Sequence, residues 1–215
     1  MISEIKSVCR ACGTENSVTA HSSVNVLEQP ELKAGLMDGS AFMWTCPRCG
    51  TRNLLPHQIL YHDPEEKVMV WLTLGSRELE NRINDAYSKL EGLEDYTMRF
   101  VDDAGSFIEK IKIFDAGLDD MAMEMTKYVT KMELSENGKD RALEILSAPF
   151  KFLGMSGPDN EITLAYPLDS QMQMVTTGFN VYQDCLGIIK RNPGTASAAP
   201  GFRKIDAAWT AEHFR

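Results

Sequence analysis

Apolar and polar residues alternate over short stretches in the first third of the chain, and this pattern predicts β-strands. The segment from Lys67 to Leu74 is dense in β-branched and aromatic residues, and Ser17 to Val26 and Ala41 to Thr45 are further candidate strands. Between them, Pro30 to Met37 fits a short helix that has proline in its first turn and is followed closely by glycine. Residues 1–75 are therefore predicted to form a small β-rich domain.

After Gly75 the spacing of apolar residues becomes that of helices. Ser76 can cap a helix whose apolar face contains Leu79, Ile83, Ala86, Leu90 and Leu93. The later pattern predicts strands at 96–101, 150–155, 162–166 and 172–177, and helices in the regions 107–111, 118–132, 181–191 and 205–214. Residues 192–201 are rich in proline, glycine, alanine and serine and are predicted to form a mobile loop. The predicted fold class is α+β, with domains at 1–75 and 76–215.

The helix predicted at 118–132 is rich in methionine, which suits both irregular cores and adaptable binding surfaces. Its apolar stripe is predicted to pack on the core of the second domain. Met123 falls outside that stripe. We therefore predict that an edge of this helix, including Met123, stays exposed for a homodimer or partner contact.

Charge and hydropathy exclude some classes of protein. No run approaches the roughly 18 apolar residues of a membrane span, and the first residues lack the features of a signal peptide, so a cytoplasmic location is expected. The net charge is −9. Residues 1–75 contribute −2 and residues 76–215 contribute −7. Because nucleic acids are bound mainly through lysine and arginine, the charge argues against a nucleic acid partner.

Four of the five cysteines form two Cys-x-x-Cys pairs, Cys9/Cys12 and Cys46/Cys49, each followed by Gly-Thr. Two intervening residues let both thiolates face one ion, and the following glycine can adopt the positive φ that the turn requires. Four thiolates suit the tetrahedral preference of zinc. We predict one structural Zn²⁺ per chain.

The cysteine pairs have two other possible interpretations. A thioredoxin-type dithiol needs one Cys-x-x-Cys at a helix N-terminus in a βαβ unit, whereas this chain has two pairs with β-rich flanks. Iron bound by four sulfurs has the same ligand set, so the sequence leaves zinc and iron both open.

The chain resembles the CpXC family, which is named for the motif found at Cys46-Pro47-Arg48-Cys49. The similarity continues at Val24-Asn25-Val26, Pro30-Glu31-Leu32, Asp38-Gly39 and Tyr61-His62-Asp63, and further on at Arg99-Phe100-Val101, Ile108-Glu109-Lys110-Ile111 and Leu118-Asp119-Asp120. The first pair, Cys-Arg-Ala-Cys, lacks the proline, but proline supplies no ligand. The resemblance implies a prokaryotic zinc-ribbon-like protein and implies no particular activity.

Other polar residues have plain structural interpretations. His57, His62 and Asp63 could form a second metal or catalytic site, but Asp63 precedes Pro64, which favours a turn. Cys185 stands among apolar residues, as a core cysteine does. The pairs Asp102-Asp103 and Asp119-Asp120 precede predicted helices, where acids act as caps.

A closed shell of four cysteines leaves no coordination position for water or substrate. The sequence therefore favours a zinc-stabilised interaction or scaffold module without catalysis, and leaves a protein partner or self-association open. Two alternatives stay open: an enzyme with a site in residues 76–215, and a nucleic-acid-associated zinc ribbon, which the charge opposes.

Overall fold

The computed structural model describes residues 2–196 and 201–214, which form helices and several β-sheets, so the α+β class is confirmed. The strands are β1 (Ile2–Val8), β2 (Glu15–His21), β3 (Ser23–Asn25), β4 (Met43–Thr45), β5 (Arg52–Leu54), β6 (Ile59–Asp63), β7 (Val68–Leu72), β8 (Thr97–Val101), β9 (Lys151–Ser156), β10 (Glu161–Leu168) and β11 (Gln171–Thr177). The helices are α1 (Pro30–Met37), α2 (Arg77–Tyr87), α3 (Ala104–Asp115), α4 (Asp120–Asn137), α5 (Ala142–Ser147), α6 (Phe179–Arg191), α7 (Pro193–Ala196) and α8 (Ala207–His213).

The described strands form four small sheets. β1 pairs with β2, and β4 pairs with β5, in two antiparallel ribbons. A sheet in the order β3-β6-β7-β8 has parallel pairs at both edges and an antiparallel pair in the middle. The last sheet has the order β11-β10-β9 and is antiparallel throughout.

The described residues divide into two compact units, and the division falls within α3. Residues 2–108 and 201–203 form the first unit, and residues 109–196 and 204–214 form the second. The sequence placed the boundary after Gly75, but β8 lies beyond that point and pairs with β7 in the same sheet. Residues 76–108 therefore belong with the first unit, because a sheet is one hydrogen-bonded layer.

A distant segment completes the first unit. Phe202 stacks on Phe100 with ring centroids 5.0 Å apart and makes edge contacts with Trp71 and Tyr87. The side chain of Asn84 in α2 accepts from the backbone N–H of Phe202 at 2.9 Å and donates to its carbonyl at 3.2 Å. These contacts join residues more than 100 positions apart and have no local sequence signal.

Local signals predicted several elements well. α1 has the predicted bounds, and Gly39 after it adopts a φ of 78°. The side chain of Ser76 accepts from the backbone N–H of Leu79 and caps α2. α2 ends at Tyr87, short of the predicted Leu90 and Leu93. In the predicted loop at 192–201, α7 forms a short helical turn, and residues 197–200 lie outside the described residues.

The prediction for Met123 is wrong. Its side chain is fully buried, in the same core cluster as Met121 and Met125. α4 packs against α5, α6 and α8, and the residues of its first two turns are buried on all sides. Met123 therefore offers no exposed edge for the dimer contact predicted there.

No helix within residues 2–196 and 201–214 combines the length and apolar character needed to cross a lipid bilayer.

Candidate metal centre

The four paired cysteines lie in two turns of the same construction. Cys9 and Cys12 occupy the turn between β1 and β2, and Cys46 and Cys49 occupy the turn between β4 and β5. In the first turn, Cys9 N–H donates to the Thr14 carbonyl at 3.0 Å and Gly13 N–H to the Cys9 carbonyl at 2.9 Å. The second turn repeats both bonds, each at 2.9 Å, between equivalent positions. The two repeated motifs in the sequence thus fold into two repeated turns.

Both turns require their glycine. Gly13 has a φ of 69° and Gly50 a φ of 71°, values that residues with a side chain rarely adopt. The positive φ turns the chain back, so that the threonine after each glycine pairs with the first cysteine of its motif. These pairs are Thr14 with Cys9 and Thr51 with Cys46. This outcome was predicted from the Cys-Gly-Thr sequence.

The four sulfur atoms have the spacing of a metal ligand set. All four lie within 4.8 Å of one another. Cys9 Sγ is 3.6 Å from Cys49 Sγ, and Cys12 Sγ is 3.7 Å from Cys46 Sγ. A tetrahedron with metal–sulfur bonds of about 2.3 Å has edges of about 3.8 Å, so the cluster can hold one metal ion.

The surroundings favour the ionised form of some thiols and not of others. The pKa of the Cys9 thiol is lowered to about 6 despite its burial. The largest cause is the backbone N–H of Cys12, and other hydrogen-bond donors add to it. The Thr14 hydroxyl lowers the pKa of Cys12. Burial raises the pKa of Cys46. A cation at the centre would favour the thiolate at all four positions, because coordination deprotonates a thiol.

Asn53 in β5 supports the centre, and the sequence analysis missed it. Its side chain is buried, accepts from the backbone N–H of Arg10 at 3.0 Å and donates to the Thr51 carbonyl at 2.8 Å. Its amide nitrogen also lies 3.6 Å from Cys9 Sγ. Asn53 thus connects the two turns and offers a donor to one sulfur, as groups around metal ligands commonly do.

We expect Asn53→Ala to weaken metal binding about 10- to 100-fold, the usual effect of losing a group that orients a ligand. A chelator competition titration measures this. Leu54→Ala is the control, because Leu54 follows in the same strand with a side chain that is 67% exposed. Equal affinity of the two variants would contradict the supporting role of Asn53.

His57, His62 and Asp63 do not form a second set of metal ligands among the described residues. The ring nitrogens of His57 contact the carbonyls of Leu55, at 2.8 Å, and His21, at 3.2 Å. His62 Nε2 contacts the Tyr96 hydroxyl at 3.3 Å, and Asp63 accepts from the Tyr61 hydroxyl at 3.2 Å. Across the described residues, the four cysteines are the one set of ligand atoms with metal spacing. The turn predicted at Asp63-Pro64 follows directly after β6, which extends through Asp63.

Cys185, Asp103 and Asp119 have the structural roles predicted for them, whereas Asp102 accepts from the Thr73 hydroxyl at 3.4 Å and Asp120 differs as well. Cys185 is buried, and burial raises the pKa of its thiol, which disfavours a nucleophilic role. Asp103 and Asp119 accept backbone N–H groups at the starts of α3 and α4, at 2.8 and 2.9 Å. Asp120 is fully buried and paired with Lys110 at 2.9 Å.

Asp120 belongs to a buried network of charges in the second unit, which we call the α3–α4 charge network. Its members are Glu109, Lys110, Asp120, Glu124, Lys127 and the more exposed Lys151. Lys127 Nζ lies 2.7 Å from Glu124 and 2.9 Å from Glu109. The three carboxylates and three ammonium groups balance in charge.

Pairing controls ionisation in this network. Burial by itself would raise the pKa of Glu109, but Lys127, Lys151 and the backbone N–H of Phe152 outweigh it and hold that pKa below its usual range. Burial opposes the charge of Lys127, but Glu124 and Glu109 raise its pKa. Glu109 and Lys127 are therefore held in their ionised forms by partners of opposite sign.

Comparison with known proteins gave one finding. The family model described as CpXC protein matches residues 8–127, more than half of the 215 residues. The match includes both cysteine pairs and the first part of the α3–α4 charge network. Neither the comparison with curated proteins nor that with solved structures gave a match.

Proposed function

The chain belongs to the CpXC family, and we propose that its four clustered cysteines bind one structural zinc ion in a protein that acts by binding and not by catalysis. The ligands are Cys9, Cys12, Cys46 and Cys49. The ion joins two short ribbons that have little apolar surface of their own. The resulting module resembles a zinc ribbon with a long insertion between its two turns.

The spacing of the four sulfurs supports this proposal most directly. A tetrahedral ion with four protein sulfurs has no position left for water or a substrate. Catalytic zinc sites keep such a position open. A zinc ion at this centre would therefore stabilise the fold and would not polarise a substrate.

The paired charges of the α3–α4 charge network also favour a role without catalysis. In the α3–α4 charge network each carboxylate faces an ammonium group. A general base must be available to take a proton near the operating pH. The pairing holds the pKa of Glu109 low and that of Lys127 high, which opposes such a role.

The charge and the cysteines bear on partner and compartment. A net charge of −9 favours a protein partner over a nucleic acid. Four reduced cysteines within 4.8 Å of one another favour a reducing compartment such as the cytoplasm.

We expect the purified protein to contain one zinc per chain, with four sulfur neighbours at about 2.3 Å in X-ray absorption spectra. Elemental analysis gives the stoichiometry and distinguishes zinc from iron. Absence of metal, or a nitrogen ligand in the first shell, would contradict the assignment.

The Co²⁺-substituted protein tests whether the shell is closed. Its visible spectrum should stay unchanged when azide or cyanide is added, because no ligand position is free. A spectrum that responds to the added anion indicates an open position and favours the catalytic alternative. Tight, salt-sensitive binding of DNA or RNA would favour the nucleic-acid alternative.

A further inference from the structure

The sheet of the second unit has an unpaired edge at β11. β11 pairs with β10 on one side, and no backbone hydrogen bond reaches it from the other side within the described residues. Alternate residues of β10, including Ile162 and Leu164, are fully buried in the core cluster of this unit. One face of the sheet is thus covered by its own unit.

The opposite face carries two strongly exposed methionines. Met172 and Met174 project from β11 and are 64% and 72% exposed. In the register with β10 they lie beside Pro167 and Ala165. Methionine is flexible and polarisable and suits contact surfaces.

β11 has none of the usual protection of an edge strand. Natural edge strands carry charges, proline or bulges that prevent pairing with another chain. The sequence from Ser170 to Gln183 has no charged residue, no histidine and no proline, and β11 pairs with β10 without a bulge. An edge of this kind is able to accept a further strand.

The strand is also complementary to itself. In an antiparallel pair centred on Met174, Met174 faces its own copy, Gln173 faces Val175, and Met172 faces Thr176. Opposite residues in such a pair point to the same side of the sheet. Exposed residues therefore meet exposed ones, and the more buried Gln173 and Val175 meet each other.

We propose that β11 pairs with β11 of a second copy of this chain, which makes one continuous sheet and a two-fold symmetric dimer. The self-paired register argues for a second copy as the occupant, because it places Met174 against its own copy and exposed residues against exposed ones. Each chain has a net charge of −9, but the segment from Ser170 to Gln183 brings no like charges together. A two-fold contact uses the β11 edge of each copy, so no β11 edge is left for a third chain. This inference deepens the proposed role in binding and is independent of the metal centre.

Sedimentation of the full metal-loaded protein tests the dimer. We expect a mass of twice 24.1 kDa at high micromolar concentration. Met174→Lys places two positive charges directly opposite each other and should weaken the dimer at least about tenfold. The control Leu143→Lys changes an exposed leucine outside the strand and should leave the mass unchanged. A wild-type protein that is monomeric at every concentration overturns the proposal.

Cysteine crosslinking tests the register. Met174→Cys lies on the two-fold axis, where paired Cα atoms are about 4.5 to 5.5 Å apart, and should form an intermolecular disulfide under mild oxidation. Met172→Cys is the matched control, because the two copies of residue 172 are about 14 Å apart in this register. Equal crosslinking of both variants overturns the register. Zinc content measured on the same samples separates a failure of the dimer from a failure of the metal centre.

Discussion

Replacing Cys46 with serine should unfold the cysteine ribbons while the second unit stays folded. A two-stranded ribbon is marginal in water without further support, and the core around the centre contains few apolar residues besides Trp44 and Leu55. A structural zinc contributes about 10 to 16 kcal/mol of binding free energy in small peptides. Loss of one ligand should therefore remove more stability than β1, β2, β4 and β5 have by themselves.

Hydrogen exchange on the variant measures this effect. Protection should be lost in residues 2–21 and 43–54, whereas α4 and β10 keep theirs because they belong to a separate apolar core. Cys185→Ser is the control with the same chemical change, and it should retain its metal because Cys185 lies outside the cluster. Loss of protection across both units would show that the two units unfold as one.

Replacing Glu124 with glutamine should destabilise the second unit by about 3 to 5 kcal/mol, the usual cost of breaking a buried ion pair. Glu124 lies 2.7 Å from Lys127 and 3.4 Å from Lys110, and all three side chains are buried. Glutamine keeps the shape and removes the negative charge. The α3–α4 charge network would then have an excess positive charge that water cannot solvate.

Chemical denaturation, with unfolding monitored by hydrogen exchange in α4, measures the free energy of unfolding of this unit. Glu133→Gln makes the same change at an exposed position of the same helix and should change stability by less than about 0.5 kcal/mol. If the two variants are equally stable, the charge of Glu124 does not stabilise the unit.

The two variants test different parts of the molecule. Cys46→Ser should affect the first unit and the metal content, whereas Glu124→Gln should affect the second unit and leave the metal content unchanged. Each variant therefore serves as a further control for the other.

The sequence by itself determined the features that depend on neighbouring residues. Each Cys-x-x-Cys-Gly-Thr motif specifies its turn, because the glycine, the backbone hydrogen bonds and the two sulfurs lie within six positions. The bounds of α1 and the cap of α2 follow from proline, glycine and serine at the ends of those helices. The hairpin between β9 and β10 follows from the turn-forming residues Ser156-Gly157-Pro158-Asp159-Asn160, which lie between two apolar stretches.

Tertiary structure alone decided which of the distant segments meet. Nothing near Met123 in the sequence shows that α5, α6 and α8 surround its helix. Glu124 and Lys127 resemble solvent-exposed helix residues until α3 brings Lys110 and Glu109 to them. β9 then adds Lys151, which pairs with Glu109. The boundary moved from Gly75 to α3 because β8 completes a sheet begun earlier in the chain. Burial depends on partners far apart in sequence, and the packing of the whole unit selects them.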